Sequence, residues 1–495
     1  MKRFLLFSML LSQIALSAQS ESKLQVIESV PFVDKVEATD VVAMHINDIQ
    51  ETGVIRFNKG RIIFDVFNNS LERINNEIIS IERKEEFKAS LYFDNEIKVI
   101  TLYSPRKKER IVFCYTFNIK DKSYSKKQLF EKTLEGNSVL FSGENKRQTN
   151  FVQSTNGKYL AMTSDNIKKK SNAYSIHLFD ANSLELIFEK SYQEDVEKHF
   201  ELNDLMVDDN ANVFVLGKLF FKGRSNKRND KANYEFVINR VNSEGIHVQS
   251  IGLDQEQIKS LNISFKKGKL HLLGFYSEQN VDRIKGGCDF QLDPISLLVE
   301  DKKLSPLPLT VFEDLYGNER AENKKDTELS NFYVDYALED SLGNTYMLAE
   351  EFYVTSNYVN TGQFGGYMTT TTHFDDIIIL KFNSSGILEW GRSIFKRSTS
   401  PSYNAFLKGN QLHVILNSGK NLKDKIDGRT KVSKRLFEST ALYDISFAQN
   451  GEVEYNKIQD NKGVNFYLPS GGTIKNETFI MMNARGTEKS LMLLK

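Results

Sequence analysis

Seven histidines, two cysteines and 65 acidic residues are the groups in this 495-residue sequence that could bind a metal or move a proton. Their spacing offers little chemistry. A metal site encoded in one short segment needs ligands that converge, as His-Glu-x-x-His does on one helical face. Here His45, His177, His199, His247, His271, His373 and His413 are scattered singly, and no two lie within five residues of each other. Asp208-Asp209-Asn210-Ala211-Asn212 spaces its oxygens like the opening of a calcium loop, but Val213 stands where that loop needs Gly and Leu219 where it needs Glu. A β-turn is the expectation there. No Gly-x-Ser-x-Gly and no Gly-x-x-x-x-Gly-Lys is present, so neither a nucleophile elbow nor a phosphate cradle is expected. No metal, cofactor or catalytic residue is assigned. Carboxylate pairs for glycoside chemistry would have to come from distant segments, a possibility that sequence spacing does not address.

The elements that would position any site come from a repeat. An Asn- or Gly-bearing turn, a short apolar strand, a loop of variable length, a second apolar strand and another turn recur every few tens of residues. Asp209-Asn210-Ala211-Asn212-Val213-Phe214-Val215-Leu216-Gly217 matches Asp340-Ser341-Leu342-Gly343-Asn344-Thr345-Tyr346-Met347-Leu348-Ala349. Their partners, Arg240-Val241-Asn242-Ser243-Glu244-Gly245-Ile246 and Lys381-Phe382-Asn383-Ser384-Ser385-Gly386-Ile387, match each other as closely, and Ser446 to Gly451 is a looser third copy. Alternating apolar runs around an Asn/Gly turn are a strong hairpin signal. Weaker copies near residues 97, 159, 270, 412 and 479 bring the count to seven units of four strands. That pattern defines an all-β fold, a β-propeller of four-stranded antiparallel blades, seven expected within a range of six to eight. Packed β-sandwiches are the alternative architecture. The last unit stops after its third strand at Leu491-Met492-Leu493-Leu494, so N-terminal sequence is expected to complete it, with the segment about 35–85 helping to close the ring. Residues 34–90 could also hold an eighth unit. His271 and His413 occupy one place in the repeat that elsewhere holds Phe214, Tyr346 and Phe479, which reads as a ring packed between blades. Cys114 and Cys288, far apart and each within a strand-like run, read as buried apolar residues, with a single long bridge as the alternative.

The phrase Asp-Ile-Ile-Ile-Leu-Lys-Phe-Asn-Ser-Ser-Gly-Ile-Leu-Glu-Trp at 376–390 resembles the strand, Asn, turn, Gly, strand-ending-in-Trp repeat of exported bacterial β-propeller proteins. About a third of the chain carries it. The resemblance implies a propeller and export, and it carries over no catalytic residue.

The chain begins Met-Lys-Arg, continues through Phe4-Leu5-Leu6-Phe7-Ser8-Met9-Leu10-Leu11 and reaches small residues at Ala15, Ser17 and Ala18, the pattern of a secretory signal peptide. Residues 1–18 are therefore expected to be removed, leaving 19–495 as a single propeller domain in the periplasm, at the cell surface or outside the cell. No later window approaches the length of a membrane-spanning helix. Basic and acidic residues balance at 65 each, so net charge names no partner, nucleic acid included.

Two loops stand out. The connections between second and third strands open on one face of a propeller, and over the seven units their formal charges sum to about +12. Lys227 and Arg228 in one loop, and Lys425 and Arg429 in another, are the candidate residues for an anionic glycan or another envelope component. The loop 353–374 differs: it carries no formal charge with His neutral, and Tyr358, Phe364 and Tyr367 stand in it among Asn, Gln, Thr and Gly. Rings beside small polar groups suit sugar or protein recognition, so these three are candidate anchors. Gly362, Gly365 and Gly366 would be its hinge. The expected function is a secreted, non-enzymatic binding or scaffold propeller. The alternative is a carbohydrate-active enzyme using the axial channel.

Overall fold

The recurring phrase folds through side chains that tie their own turns. Asp208 Oδ1 accepts the backbone N–H groups of Asn210 and Asn212 at 2.9 and 2.8 Å, and its Oδ2 accepts Asn212 Nδ2 at 2.8 Å. Asp340 repeats this with Leu342 and Asn344 at 2.9 and 2.8 Å. Such self-bonding makes Asp and Asn turn formers, and it uses up the carboxylate that a calcium loop would need. At the outer turns Asn383 Oδ1 accepts from Ser385 and Ile387 N–H, while Gly386 takes φ +76°, a region closed to most side chains. Trp390, at the end of that phrase, donates Nε1–H to Gln449 O at 2.8 Å, and its ring lies on Gly451, where an added Cβ would sit 3.1 Å from the indole. The Trp thus locks one repeat to the next.

The computed structural model describes residues 24–34, 40–134, 139–141, 150–168, 171–193, 198–229, 231–279, 281, 283–324, 329–360, 366–398, 401–427, 429–432, 438–462, 466–483 and 486–495. The expected signal peptide lies outside them. Among the described residues there are eight four-stranded antiparallel sheets. In chain order seven of them are blade 1 (40–80), blade 2 (85–133), blade 3 (151–193), blade 4 (199–251), blade 5 (256–306), blade 6 (332–394) and blade 7 (403–460). Blade 8 combines Thr473–Lys475, Thr478–Met482 and Leu491–Leu494 with Val26–Glu28 as its outermost strand, Val26 opposite Leu494. First strands touch in succession from blade 8 through blade 1 to blade 7, and the first strand of blade 7 meets the short turn Pro469–Gly471 that leads into blade 8, Asn404 Nδ2 donating to Pro469 O and Gly472 O. The fold is a β-propeller.

The expected seven blades are therefore eight, and the ring is closed by Val26–Glu28 instead of the 35–85 segment. Residues 40–80 form a complete blade of their own. Its outer turn has the same construction as the others, Asn68 Oδ1 accepting Ser70 and Glu72 N–H, but Leu71 at φ +60° stands where other copies carry Gly. Lys122, Leu184 and Leu297 likewise take positive φ in the outer turns of blades 2, 3 and 5, so glycine marks only some copies; blade 1 is the eighth unit that residues 34–90 could hold, inside the expected range of six to eight.

Every seam between neighbouring blades holds its own hydrophobic cluster, eight in all. A central strand is buried on both faces: Val213 and Val215 enter the seam with blade 3, Phe214 and Leu216 the seam with blade 5. This is why such strands read as continuous apolar runs. Cys114 and Cys288 lie in different seams, buried and free, so no bridge joins them. Burial pushes the Cys114 thiol up to about 12 and the Cys288 thiol higher still, which keeps both uncharged. Two short helices, α1 (Leu309–Tyr316) and α2 (Asn318–Lys324), connect blade 5 to blade 6, and Val311, Phe312 and Leu315 extend the cluster of that seam. No helix among the described residues is long and apolar enough to cross a membrane.

Candidate binding surfaces

The face that carries the loops between second and third strands also carries the blade-to-blade connections, and both helices lie there. Four of the sequence-derived site residues fall on this face, in loops of blades 4 and 7, with two blades between them. Lys227 and Arg228 form a two-residue ladder with Lys231 and Ala232; Lys227 is half-buried and Arg228 exposed. Arg429 is engaged in structure. It donates Nη1–H to Leu315 O at 2.6 Å at the end of α1, pairs with Asp427 at 2.6 Å and stacks 4.8 Å above the Phe395 ring. Lys425 stands over the same ring at 5.3 Å. A guanidinium at the last carbonyls of a helix satisfies groups the helix leaves open.

The loop 353–374 is a hairpin formed by two long strands, Thr345–Asn360 and Gly366–Phe382. Below Glu351 and Asp376 they belong to the blade; beyond, they pair only with each other, from Phe352 opposite Phe374 to Asn360 opposite Gly366. Tyr353 and His373 stack at 4.4 Å on its stem, and Thr355 Oγ1 lies 2.9 Å from His373 Nε2. Residues 361–365, with Phe364, lie outside the described residues, as do the side chains of Tyr358 and Tyr367.

A charged base supports this hairpin where the ladder is irregular, between Glu350 and Phe352. There Arg397 faces Asp375, Asp376 and Glu351 at 2.8, 3.4 and 3.6 Å. Lys396 pairs with Glu350 at 2.8 Å, and Tyr353 OH donates to Asp375 at 2.8 Å. Burial pushes Asp376 up to about 8 against the pull of Arg397, so it holds a proton near neutrality. Sequence reasoning did not find this cluster. Asp375-Asp376 was visible, but Lys396 and Arg397 belong to it only through the blade's fourth strand.

Two further arrangements look like chemistry. Ser164 Oγ lies 3.0 Å from His177 Nε2, with Glu189 3.9 Å from Nδ1 and Lys132 Nζ 3.1 Å from the hydroxyl. Yet Ser164 and His177 are 1% and 2% exposed, and Phe130 stacks on the imidazole at 4.3 Å. Burial, then Lys132, lowers His177 to about 3, which makes it a weak base inside a seam. His271 and His413, alike in the repeat, each meet an Asp of the neighbouring strand, Asp289 and Asp444, at 3.0 Å. His413 stacks at 5.3 Å on Phe406, its partner on the adjoining strand of the same blade, so this contact lies within blade 7. No group of three His, Cys, Asp or Glu arranged to hold a metal occurs among the described residues.

The opposite face carries short turns, and it holds a cleft of about 680 Å³ where the first strands of blades 8, 1, 2 and 3 end. Its walls include Lys475, His45, Tyr92 and Gln153, one from each of these blades.

No family model matches the chain, and no curated protein does. Among solved structures it is similar to an oligogalacturonate lyase from Vibrio parahaemolyticus, at 11% identity over 96% of this chain and 98% of that one, TM-score 0.42. It is also similar to the WD40 domain of SCAP from fission yeast, at 6% identity over 96% and 98%, TM-score 0.44. Prolyl oligopeptidase B from Galerina marginata matches at 6% identity and TM-score 0.41 over 90% of this chain; the chain spans 54% of that protein's length.

Proposed function

We propose that this chain is a non-enzymatic binding or scaffold propeller that acts outside the cytoplasm and recognises its ligand through the blade 6 hairpin. One observation supports the reading: the paired strands of the hairpin run from Phe352 opposite Phe374 to Asn360 opposite Gly366, beyond the blade's other strands and above the ion pairs of Lys396 and Arg397, and the sequence they lead into is uncharged and aromatic-rich. A rigid stem under a ring-bearing tip lowers the entropy lost on binding. Export rests on the leader-like pattern at residues 1–18. Tyr358, Phe364 and Tyr367 are the proposed anchors, and Lys227 and Arg228 add an attraction for an anionic glycan or envelope component.

The test is capture of envelope glycans and proteins by the mature chain, compared with Tyr358→Ala, Phe364→Ala and Tyr367→Ala. Each variant should weaken capture by about 2 kcal/mol and leave the melting temperature in place. Large losses of melting temperature with capture unchanged would make the rings structural and sink the reading. Captured anionic material should also release between about 50 and 200 mM salt, since exposed charges are screened over roughly 10 Å.

A further inference from the structure

We infer that the cleft on the short-turn face is a second binding site, built for an uncharged oligosaccharide. Its volume, about 680 Å³, lies within the range of ligand pockets, roughly 300–1,000 Å³. The lining then decides what kind of ligand fits.

Charge is balanced inside it. Lys98 pairs with Glu96 at 2.9 Å and Lys475 with Asp48 at 2.8 Å, so neither ammonium is available to hold a phosphate, sulfate or uronate. Desolvation lowers His45, which adds no positive charge near neutrality. Asp94, exposed at the rim, disfavours an anion further. An extended peptide finds no strand edge to join. The carbonyl of Asn95 already accepts Ile119 N–H at 2.8 Å, and Gln153 bonds both the N–H and the carbonyl of Tyr92. Recognition is left to side chains.

Those side chains present amide groups and rings. Asn118 uses its Oδ1 on Asp121 N–H at 2.8 Å, and Asn156 uses its Oδ1 on Lys158 N–H at 3.0 Å. Among the described residues nothing in the protein accepts from either Nδ2, and the side chains of Asn95 and Asn182 make no hydrogen bond. Each of the first two amides is held by its own turn with its NH₂ group unspent, the arrangement that preorganises a donor for a hydroxyl. Beside them His45 and Tyr92 stack with centroids 5.6 Å apart and planes 21° apart. Flat apolar area next to fixed amide donors matches a sugar ring, which has C–H faces and a rim of hydroxyls.

The experiment is calorimetric titration of the full mature chain with a panel of neutral hexasaccharides (cello-, laminari-, malto-, manno- and chitohexaose) and with a galacturonate hexamer as the anionic counterpart. At least one neutral member should bind tighter than about 1 mM, with little change between about 50 and 200 mM salt. The double variant Asn118→Asp, Asn156→Asp keeps both turn-holding oxygens and removes both donors, so it should fold normally and bind about tenfold more weakly or worse. His45→Ala should weaken binding by about threefold or more, from loss of ring contact. No binding by any neutral member, binding by the galacturonate hexamer alone, or a double variant that binds as well as the parent would each overturn the inference. Because the cleft and the blade 6 hairpin lie on opposite faces, Tyr358→Ala should leave this titration unchanged, and either site can fail alone.

Discussion

The two faces of the ring invest their polar residues differently. On the long-loop face the charges are mostly joined into structure: Arg397 to three carboxylates, Arg429 to Asp427 and the end of α1, and Arg56 to Asp34 and Asp65. On the short-turn face the carbonyl oxygens of Asn118 and Asn156 close turns while their amide nitrogens stay unspent around a concavity. Loop length and charge count, the features most visible in a sequence, mark where the molecule is elaborated. Concavity arises from how turns of four blades meet.

The contrast is broken most directly at Arg56. It is fully buried, bonded to Asp65 at 2.8 Å through Nη2 and also to Asp34, which precedes blade 1. Arg56→Ala removes the cation that joins buried Asp34 and Asp65, leaving Asp65 only the more distant Arg73 at 3.6 Å, and should cost about 3–5 kcal/mol in urea denaturation. A loss below about 1 kcal/mol would mean that water reaches this network and that the face is less committed to structure than its contacts imply.

A smaller effect separates the two basic loops. Arg429→Glu should destabilise by about 1–3 kcal/mol, because it removes a hydrogen bond to Leu315 O and sets a carboxylate beside Asp427. Arg228→Glu, at an exposed position, should stay within about 0.5 kcal/mol. Equal effects in thermal melts would erase the distinction between a structural and a solvated loop.

A third difference concerns pH. With Asp376 raised from 3.8 to about 8, the native chain holds a proton that the unfolded chain has lost between those values, so this group's stabilisation falls as pH rises across the window and is gone above it. Asp376→Asn has no such proton to lose. The difference in melting temperature between about pH 5 and pH 9 should therefore narrow in the variant. An unchanged difference would assign the alkaline sensitivity to other groups.

Much of the fold was legible because its turns are written in side chains. Asp208, Asp340, Asn242 and Asn383 bond their own backbones, and the strands between them are buried on both faces. Blade 1 stood only as a possible eighth unit because its sequence carries the phrase weakly, with Leu71 at φ +60° in its outer turn, as Leu184 and Leu297 are in blades 3 and 5. The loop at 353–374 was visible from its composition, but its base was not, since Glu350 and Lys396 meet across 46 residues and Asp375 and Arg397 across 22. Arg429 counted as surface charge in the sequence because nothing local reveals Leu315 O, 114 residues away. The short-turn cleft had no signal at all: Lys475, His45, Tyr92 and Gln153 share no motif and meet only when the ring closes.

That closure orders the chain in time as well as in space. Val26–Glu28 leaves the ribosome early and Leu491–Leu494 late, yet they are partners, with Leu491 N–H also donating to Ser29 Oγ across 462 residues. Until the late strand appears, the early one has no sheet to join, and blade 1 presents its blade 8 side (Met44, Ile46, Val54 and Phe67) uncovered. Any intermediate that lacks Leu491–Leu494 therefore leaves an apolar flank open at blade 1, and that flank is what a holding chaperone would meet.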